Sequence, residues 1–182
     1  ALPILPYKPG DFTQINAQLN EVMVARAVRL LNPQKGERIA DLFCGLGNFS
    51  LPLAKSGASV VGIEGADYLV DRARENARLN RCAENMMFSV ADLFDTDEKT
   101  VESWGQFDKM LLDPPRNGAY AVVKSLHKPF LPQKIVYVSC NPSTFARDAG
   151  VLVDKGYKFK VAGIMNMFAQ TSHVESIGVF EL

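Results

Sequence analysis

The 182-residue sequence has only three cysteines, two histidines and one tryptophan, and no surplus charge, with 20 Lys+Arg against 20 Asp+Glu. Each scarcity excludes something. Cys44, Cys82 and Cys140 are odd in number and widely spaced, which argues against a disulfide framework or a cysteine-built metal site and fits a reducing, cytoplasmic location. No metal ligand set is expected. A net charge of +0 lacks the basic footprint of a free-standing nucleic-acid-binding domain, so affinity for RNA would have to come mostly from elsewhere. No apolar run approaches the ~18 residues of a membrane span, and no basic-then-apolar leader is visible. No membrane or protein partner is inferred. The sequence opens on Ala1 in ALPILPYKPG rather than on methionine, and is expected to be a piece of a longer protein.

What is present is a single α/β pattern. With 47% hydrophobic residues, the chain can bury one sizeable core, and residues 1–182 are expected to form one domain. Helical spacing of apolar residues runs from Gln14 to Leu31 and stops at Asn32-Pro33. Short apolar runs predict strands at Arg38–Phe43, Ser59–Ile63, Met86–Val90, Lys109–Leu112 and Ile135–Val138. Helices are predicted at Asn48–Ser56, Asp67–Asn80 (with Leu79 on the apolar side), Tyr120–Lys128 and Ser143–Asp154. Alternation at Lys158–Ile164 and Glu175–Glu181 predicts two final strands paired as neighbours. The fold class is therefore α/β, a Rossmann-like doubly wound sheet of about seven strands with the last pair antiparallel.

The first strand runs into Phe43-Cys44-Gly45-Leu46-Gly47-Asn48, where glycines let the backbone turn sharply and approach a ligand. Ser50 breaks the full G-x-G-x-x-G dinucleotide fingerprint. Glu64, at the end of the second strand, can accept hydrogen bonds from ribose hydroxyls, an arrangement shared by nicotinamide and S-adenosylmethionine pockets. Asp113 in the rigid turn Asp113-Pro114-Pro115-Arg116, and Asp92 after the third strand, favour S-adenosylmethionine.

Cys140 lies at the carboxyl end of the fifth strand, where open α/β sheets place their chemistry. With Glu175 in MFAQTSHVES, it suggests covalent catalysis on an electrophilic ring. Arg116 and Arg147 are candidates for holding an RNA backbone or base oxygens, and His173 for orienting base or substrate. An amino-methyltransferase would carry an aromatic residue where Arg116 stands and would need no cysteine nucleophile. Ser50 and the Cys140/Glu175 pair likewise disfavour a nicotinamide-dependent oxidoreductase.

The segments DFTQIN, DLFCGLGNFSLPLA, VVGIEG, LLDPPRNGA, IVYVSCNPSTFARD and MFAQTSHVES, in this order, resemble the successive motifs of the RNA uracil-C5 methyltransferases, and within that family the 23S ribosomal RNA branch more than the transfer-RNA branch. The resemblance implies an S-adenosylmethionine pocket at Gln14, Phe43, Gly45, Asn48, Glu64, Asp92 and Asp113, although at Asp92 the ribosomal branch tends to carry an amide. It implies Cys140 as the nucleophile that adds to uracil C6 and Glu175 as the base that removes the C5 proton, with RNA as the partner, ribosomal first. It also implies an N-terminal RNA-binding module and an optional iron–sulfur cluster, both outside these residues. Two alternatives stay open: a transfer-RNA uracil-C5 methyltransferase, and a non-catalytic cofactor-binding RNA protein on the same fold.

Overall fold

The computed structural model describes residues 17–166 and 174–182. The elements in chain order are α1 (Ala17–Leu31), β1 (Arg38–Leu42), α2 (Ser50–Ala54), β2 (Ser59–Glu64), α3 (Asp67–Leu79), β3 (Met86–Val90), α4 (Glu98–Trp104), β4 (Lys109–Leu112), α5 (Tyr120–Ser125), β5 (Lys134–Ser139), α6 (Pro142–Asp154), β6 (Lys158–Asn166) and β7 (Val174–Glu181). The strands form one sheet in the order β3-β2-β1-β4-β5-β7-β6. The first five strands are mutually parallel, and β7 runs antiparallel to both β5 and β6. Strand order reverses between β1 and β4, which opens a crevice at their carboxyl ends.

Alternation along the buried strands sends side chains to two cores. Ile39, Val60, Leu111, Val136, Val138 and Val179 face α1 and α2, meeting Met23, Ala27, Leu31 and Leu53. Ala40, Leu42, Ile63, Met110, Leu112, Ile135 and Tyr137 face the other side, against Val101 of α4, Val122 and Val123 of α5 and Leu152 of α6. Helices cover both faces, as a mostly parallel sheet requires.

The seven strands and the antiparallel final pair agree with the expectation, and β7 is inserted between β5 and β6. Four local expectations are corrected. Helix α2 is shorter than Asn48–Ser56, because residues 43–49 are spent on turns. Helix α5 ends at Ser125, ahead of the helix-incompatible Lys128-Pro129, so His127 lies beyond it. Leu79 is 55% exposed rather than packed. Helix α4 was not foreseen, since Val101 is its one buried residue; its start is fixed by Asp97, whose carboxylate accepts from the Thr100 N–H (2.7 Å) and hydroxyl (2.6 Å).

Candidate active site

The turn after β1 is built from left-handed backbone. Phe43, Gly45 and Gly47 have φ of +63°, +51° and +89°, and the Phe43 and Cys44 N–H groups donate to the Ile63 carbonyl at 2.9 and 3.2 Å. An aromatic residue with positive φ is held there against its own preference, and the Phe43 ring rests on Phe94 with centroids 5.7 Å apart. A Cβ placed on Gly45 would meet nothing within 4 Å, so the backbone here borders open space.

Several side chains fix this turn. The Glu64 carboxylate, at the end of β2, accepts from the N–H groups of Gly45 (3.1 Å), Gly65 (2.8 Å) and Ala66 (3.2 Å). Asn48 exchanges reciprocal amide hydrogen bonds with Asn20 of α1 at 3.0 and 3.1 Å. Buried Asn76 of α3 donates to the Leu46 carbonyl at 3.0 Å. Beneath the turn lies Asp41, fully buried on β1. Its Oδ2 accepts from the Ser50 hydroxyl, and its Oδ1 has no hydrogen-bond partner among the described residues. Burial pushes the Asp41 carboxyl up to about 7, against the pull of the Ser50 hydrogen bond.

The second half of the crevice is formed by the ends of β4, β5 and β7. Antiparallel pairing sets Ser139 opposite Ser176, so Cys140, which follows Ser139, and Glu175, which precedes Ser176, emerge at one edge. Asp113 follows β4 at the same edge, its N–H donating to the Leu42 carbonyl at 3.3 Å. Burial, then the charges of Glu175 and Asp41, push the Asp113 carboxyl well above the usual range. Burial likewise raises Glu175. The half-buried Cys140 thiol is raised by burial and by the charges of Glu175 and Asp113, while Arg116 pulls it down. Cys140, Glu175 and Asp113 therefore share one electrostatic environment.

The other sequence-derived candidates divide. Phe43, Gly45, Asn48, Glu64 and Asp113 border the crevice, although the Asn48 amide is already engaged by Asn20. Exposed Asp92 uses its Oδ1 to accept from the Phe94 N–H of its own turn at 2.9 Å. Arg116 is exposed at the mouth. Arg147 is committed to Asp148 and to the Asn117 carbonyl. Gln14 and His173 lie outside the described residues. Asp41, Asn20, Asn76, Tyr137 and Asp148 were not singled out from sequence; the signal available for Asp41 and Asp148 was a carboxylate set within or beside an apolar run. Among the described residues no group of three or more His, Cys, Asp and Glu side chains is placed to hold a metal, and no helix is long and apolar enough to cross a membrane.

The crevice suits a nucleoside with a cationic tail. Glu64 offers carboxylate lone pairs for ribose hydroxyls, Gly45 leaves room for close approach, and the raised Asp113 carboxyl, with Asp41 buried beneath the turn, is a group that a nearby cation would help to ionise.

Comparison with known proteins bears on this geometry. Residues 5–181 match the family described as tRNA (Uracil-5-)-methyltransferase. The chain is 71% identical over 178 residues to the 23S rRNA (uracil(1939)-C(5))-methyltransferase RlmD of Neisseria lactamica, a match covering 98% of this chain and 39% of that protein. It is 58% identical to the protein of the same name from Chromobacterium violaceum, covering 97% of this chain and 35% of that one. The chain thus spans under two fifths of the length of these two relatives. Among solved structures it is similar to the Pyrococcus abyssi tRNA (uracil-54, C5)-methyltransferase in complex with S-adenosyl-L-homocysteine, with 33% identity and a TM-score of 0.79 over 94% of this chain and 40% of that chain.

Proposed function

Because the chain belongs to the RNA uracil-C5 methyltransferase family, we propose that it forms the catalytic part of an enzyme methylating uracil C5 in RNA, with 23S ribosomal RNA as substrate. The observation that carries this reading is the Ser139–Ser176 register, which delivers Cys140 and Glu175 to one edge beside Asp113. The preference for ribosomal RNA rests on the relatives at 71% and 58% identity, both named for 23S rRNA, against 33% for the tRNA enzyme.

Uracil C5 is a poor nucleophile until the ring is activated. The Cys140 thiolate adds to C6, forming the Sγ–C6 bond and placing the electron pair on the C4 enolate and C5. Glu64 would hold the ribose of S-adenosylmethionine, and Asp113, with buried Asp41 behind the turn, would lie near its charged end; bound there, it would supply an electrophilic methyl that C5 would accept, with S-adenosylhomocysteine as the leaving group. Glu175 then accepts the C5 proton, the Sγ–C6 bond breaks, the thiolate departs and the C5–C6 double bond is restored. A thiolate serves both ends of this sequence, since it adds readily and also leaves readily. A carboxyl raised by burial suits Glu175, because its basicity moves toward that needed near neutral pH. Arg116, which favours the thiolate, faces the acidic pair that opposes it. A uracil stacked in a helix cannot reach this edge, so the target base must be unpaired or turned out.

The test incubates the protein with S-adenosylmethionine and 23S-derived RNA carrying 5-fluorouridine at the target, followed by intact mass spectrometry. Fluorine cannot leave as a proton does, so a methylated covalent adduct is expected, absent in Cys140→Ala. An adduct that persists in Cys140→Ala refutes the nucleophile assignment. Adduct formation on a transfer RNA T-arm in preference to the ribosomal fragment refutes the substrate assignment.

A further inference from the structure

Outside the crevice, the least expected group in the structure is a fully buried carboxylate, Asp148 of α6. Burying a charge is costly unless it is well bonded, and its bonding is specific. Asp148 Oδ1 accepts from Arg147 Nε at 2.8 Å and is paired with Arg147 Nη2 at 2.8 Å. Asp148 Oδ2 accepts from the hydroxyl of buried Tyr137 at 2.6 Å and from the Ala119 N–H at 2.7 Å. The same Ala119 N–H also donates to the Tyr137 oxygen at 3.0 Å.

All the backbone bonds of this cluster reach one segment, the chain between Asp113 and α5. Arg147 Nη2 donates to the Asn117 carbonyl at 2.9 Å. The Arg116 carbonyl accepts from both Asn141 Nδ2 (3.0 Å) and Thr144 Oγ1 (3.1 Å) at the start of α6. Between them Gly118 has φ +77°, and a Cβ there would stand 2.6 Å from Asp148 Oδ2 and 2.7 Å from Arg147 Nη2. The segment therefore lies flush against α6 with no room to slide. Asn141 directly follows Cys140 in sequence, so the segment that carries Arg116 and the residue that carries the thiol are joined through α6.

We propose that Asp148 is a positioning residue for the Cys140 nucleophile: through Arg147, Tyr137 and Ala119 it locks residues 116–119 onto α6 and so holds Arg116 against Asn141, the residue that follows the thiol. The inference rests on Cys140 being the nucleophile of the proposed reaction, but its test does not involve methyl transfer. The charges facing Cys140 among the described residues are Glu175 on β7, Asp113 after β4 and Arg116 in the locked segment. Arg116 alone of these favours the thiolate, so any loosening of the segment weakens that favourable influence and leaves the two carboxyls in place.

The measurement is the pH dependence of iodoacetamide alkylation at Cys140, read by mass spectrometry of the peptide that contains it. Cys44 and Cys82, at 3% and 7% exposure, do not compete in the folded protein. Asp148→Asn is expected to move the alkylation midpoint up by about half a pH unit, which is about threefold slower alkylation below the midpoint. Arg116→Gln is expected to move it as far or farther, and adding Asp148→Asn to Arg116→Gln should produce no further shift. A role limited to stability would lower the melting temperature and leave the midpoint alone. An unchanged midpoint in folded Asp148→Asn, or additive shifts in the double variant, overturns the proposal. If Asp148→Asn does not fold, Tyr137→Phe replaces it in the same cycle, with the same two outcomes. Failure of the methylation reading would show separately, as no adduct with 5-fluorouridine RNA despite an intact coupling between Asp148 and Arg116.

Discussion

Asp41 makes stability depend on pH in a way that can be isolated. Its carboxyl is pushed up to about 7 in the folded protein, against about 3.9 in an unfolded chain. A group whose folded value is raised contributes stability that is complete below the unfolded value and is lost as pH rises through the folded one. Between pH 6 and pH 8 the folded protein therefore holds more of this proton than the unfolded chain, and acidification stabilises. Integrating the difference in bound protons over that interval gives about 1.4 kcal/mol from Asp41 alone. For a chain of 182 residues this corresponds to about 3–6 °C in melting temperature. Asp113 and Glu175 are raised too and push in the same direction, so the slope of the native protein by itself does not identify Asp41. The assay is urea unfolding of the native chain and of Asp41→Asn at pH 6 and pH 8, with the m-values checked for equality. Asparagine keeps the shape and can still meet Ser50, but it does not titrate. The stability gained from pH 8 to pH 6 should be smaller in Asp41→Asn by about 1.4 kcal/mol. Equal gains in the two proteins would show that Asp41 ionises outside this interval and that its burial has been misjudged.

Glu175→Gln should methylate the base and then stall before elimination, so the covalent protein–RNA species is expected to accumulate as a shifted band; unchanged turnover without adduct removes Glu175 from the mechanism. Gly118→Ala should cost at least about 2 kcal/mol by urea unfolding, because it combines a left-handed φ with a Cβ placed 2.6 Å from Asp148 Oδ2; a change below 0.5 kcal/mol, on the order of an ordinary surface substitution, contradicts the close fit of that segment. Asn20→Ala should destabilise by about 1 kcal/mol, since it leaves the partly buried Asn48 amide without its partner, and an unchanged unfolding midpoint would show that water replaces Asn20 without loss. With a net charge of +0, residues 1–182 should bind RNA with a shallow salt dependence, and a steep slope in a salt titration would reveal a basic face that the charge count conceals.

Those parts of the fold that rest on local pattern were legible in the sequence. Runs such as Ile135–Val138 are buried on both faces, and Asn141 caps α6 with its side chain accepting from the Ser143 N–H at 3.0 Å. The weakly patterned α4 was missed, because a surface helix with one buried residue carries almost no hydrophobic period. The site divides in the same way. Glu64 and Asp113 are marked by their positions at strand ends, whereas the amide pair that Asn48 makes with Asn20, a partner 28 residues away, has no local signal. The bond from Arg147 to the Asn117 carbonyl has no local signal either, since Asn117 lies 30 residues earlier. Buried Asp41 and Asp148 were passed over for the same reason. Their importance lies in what surrounds them in space, and a sequence does not display burial at single polar positions.

The placement of Glu175 shows how topology does chemical work that no motif encodes. Cys140 emerges where β5 ends, at the carboxyl edge shared by all five parallel strands. Had β7 joined β5 in the parallel sense, the residue preceding its paired stretch would stand at the opposite edge, about 20 Å from the thiol for six paired residues at ~3.3 Å each. The hairpin of β6 and β7 reverses the chain, and inserting β7 between β5 and β6 puts the start of β7 directly against the end of β5. A carboxylate 35 residues downstream of the cysteine is thereby brought next to it without a loop having to reach over the sheet. The cost is electrostatic, since Glu175 and Asp113 both oppose ionisation of Cys140. Arg116 offsets that opposition only while it is held in place, and the buried Asp148 cluster is the part of the structure that holds it.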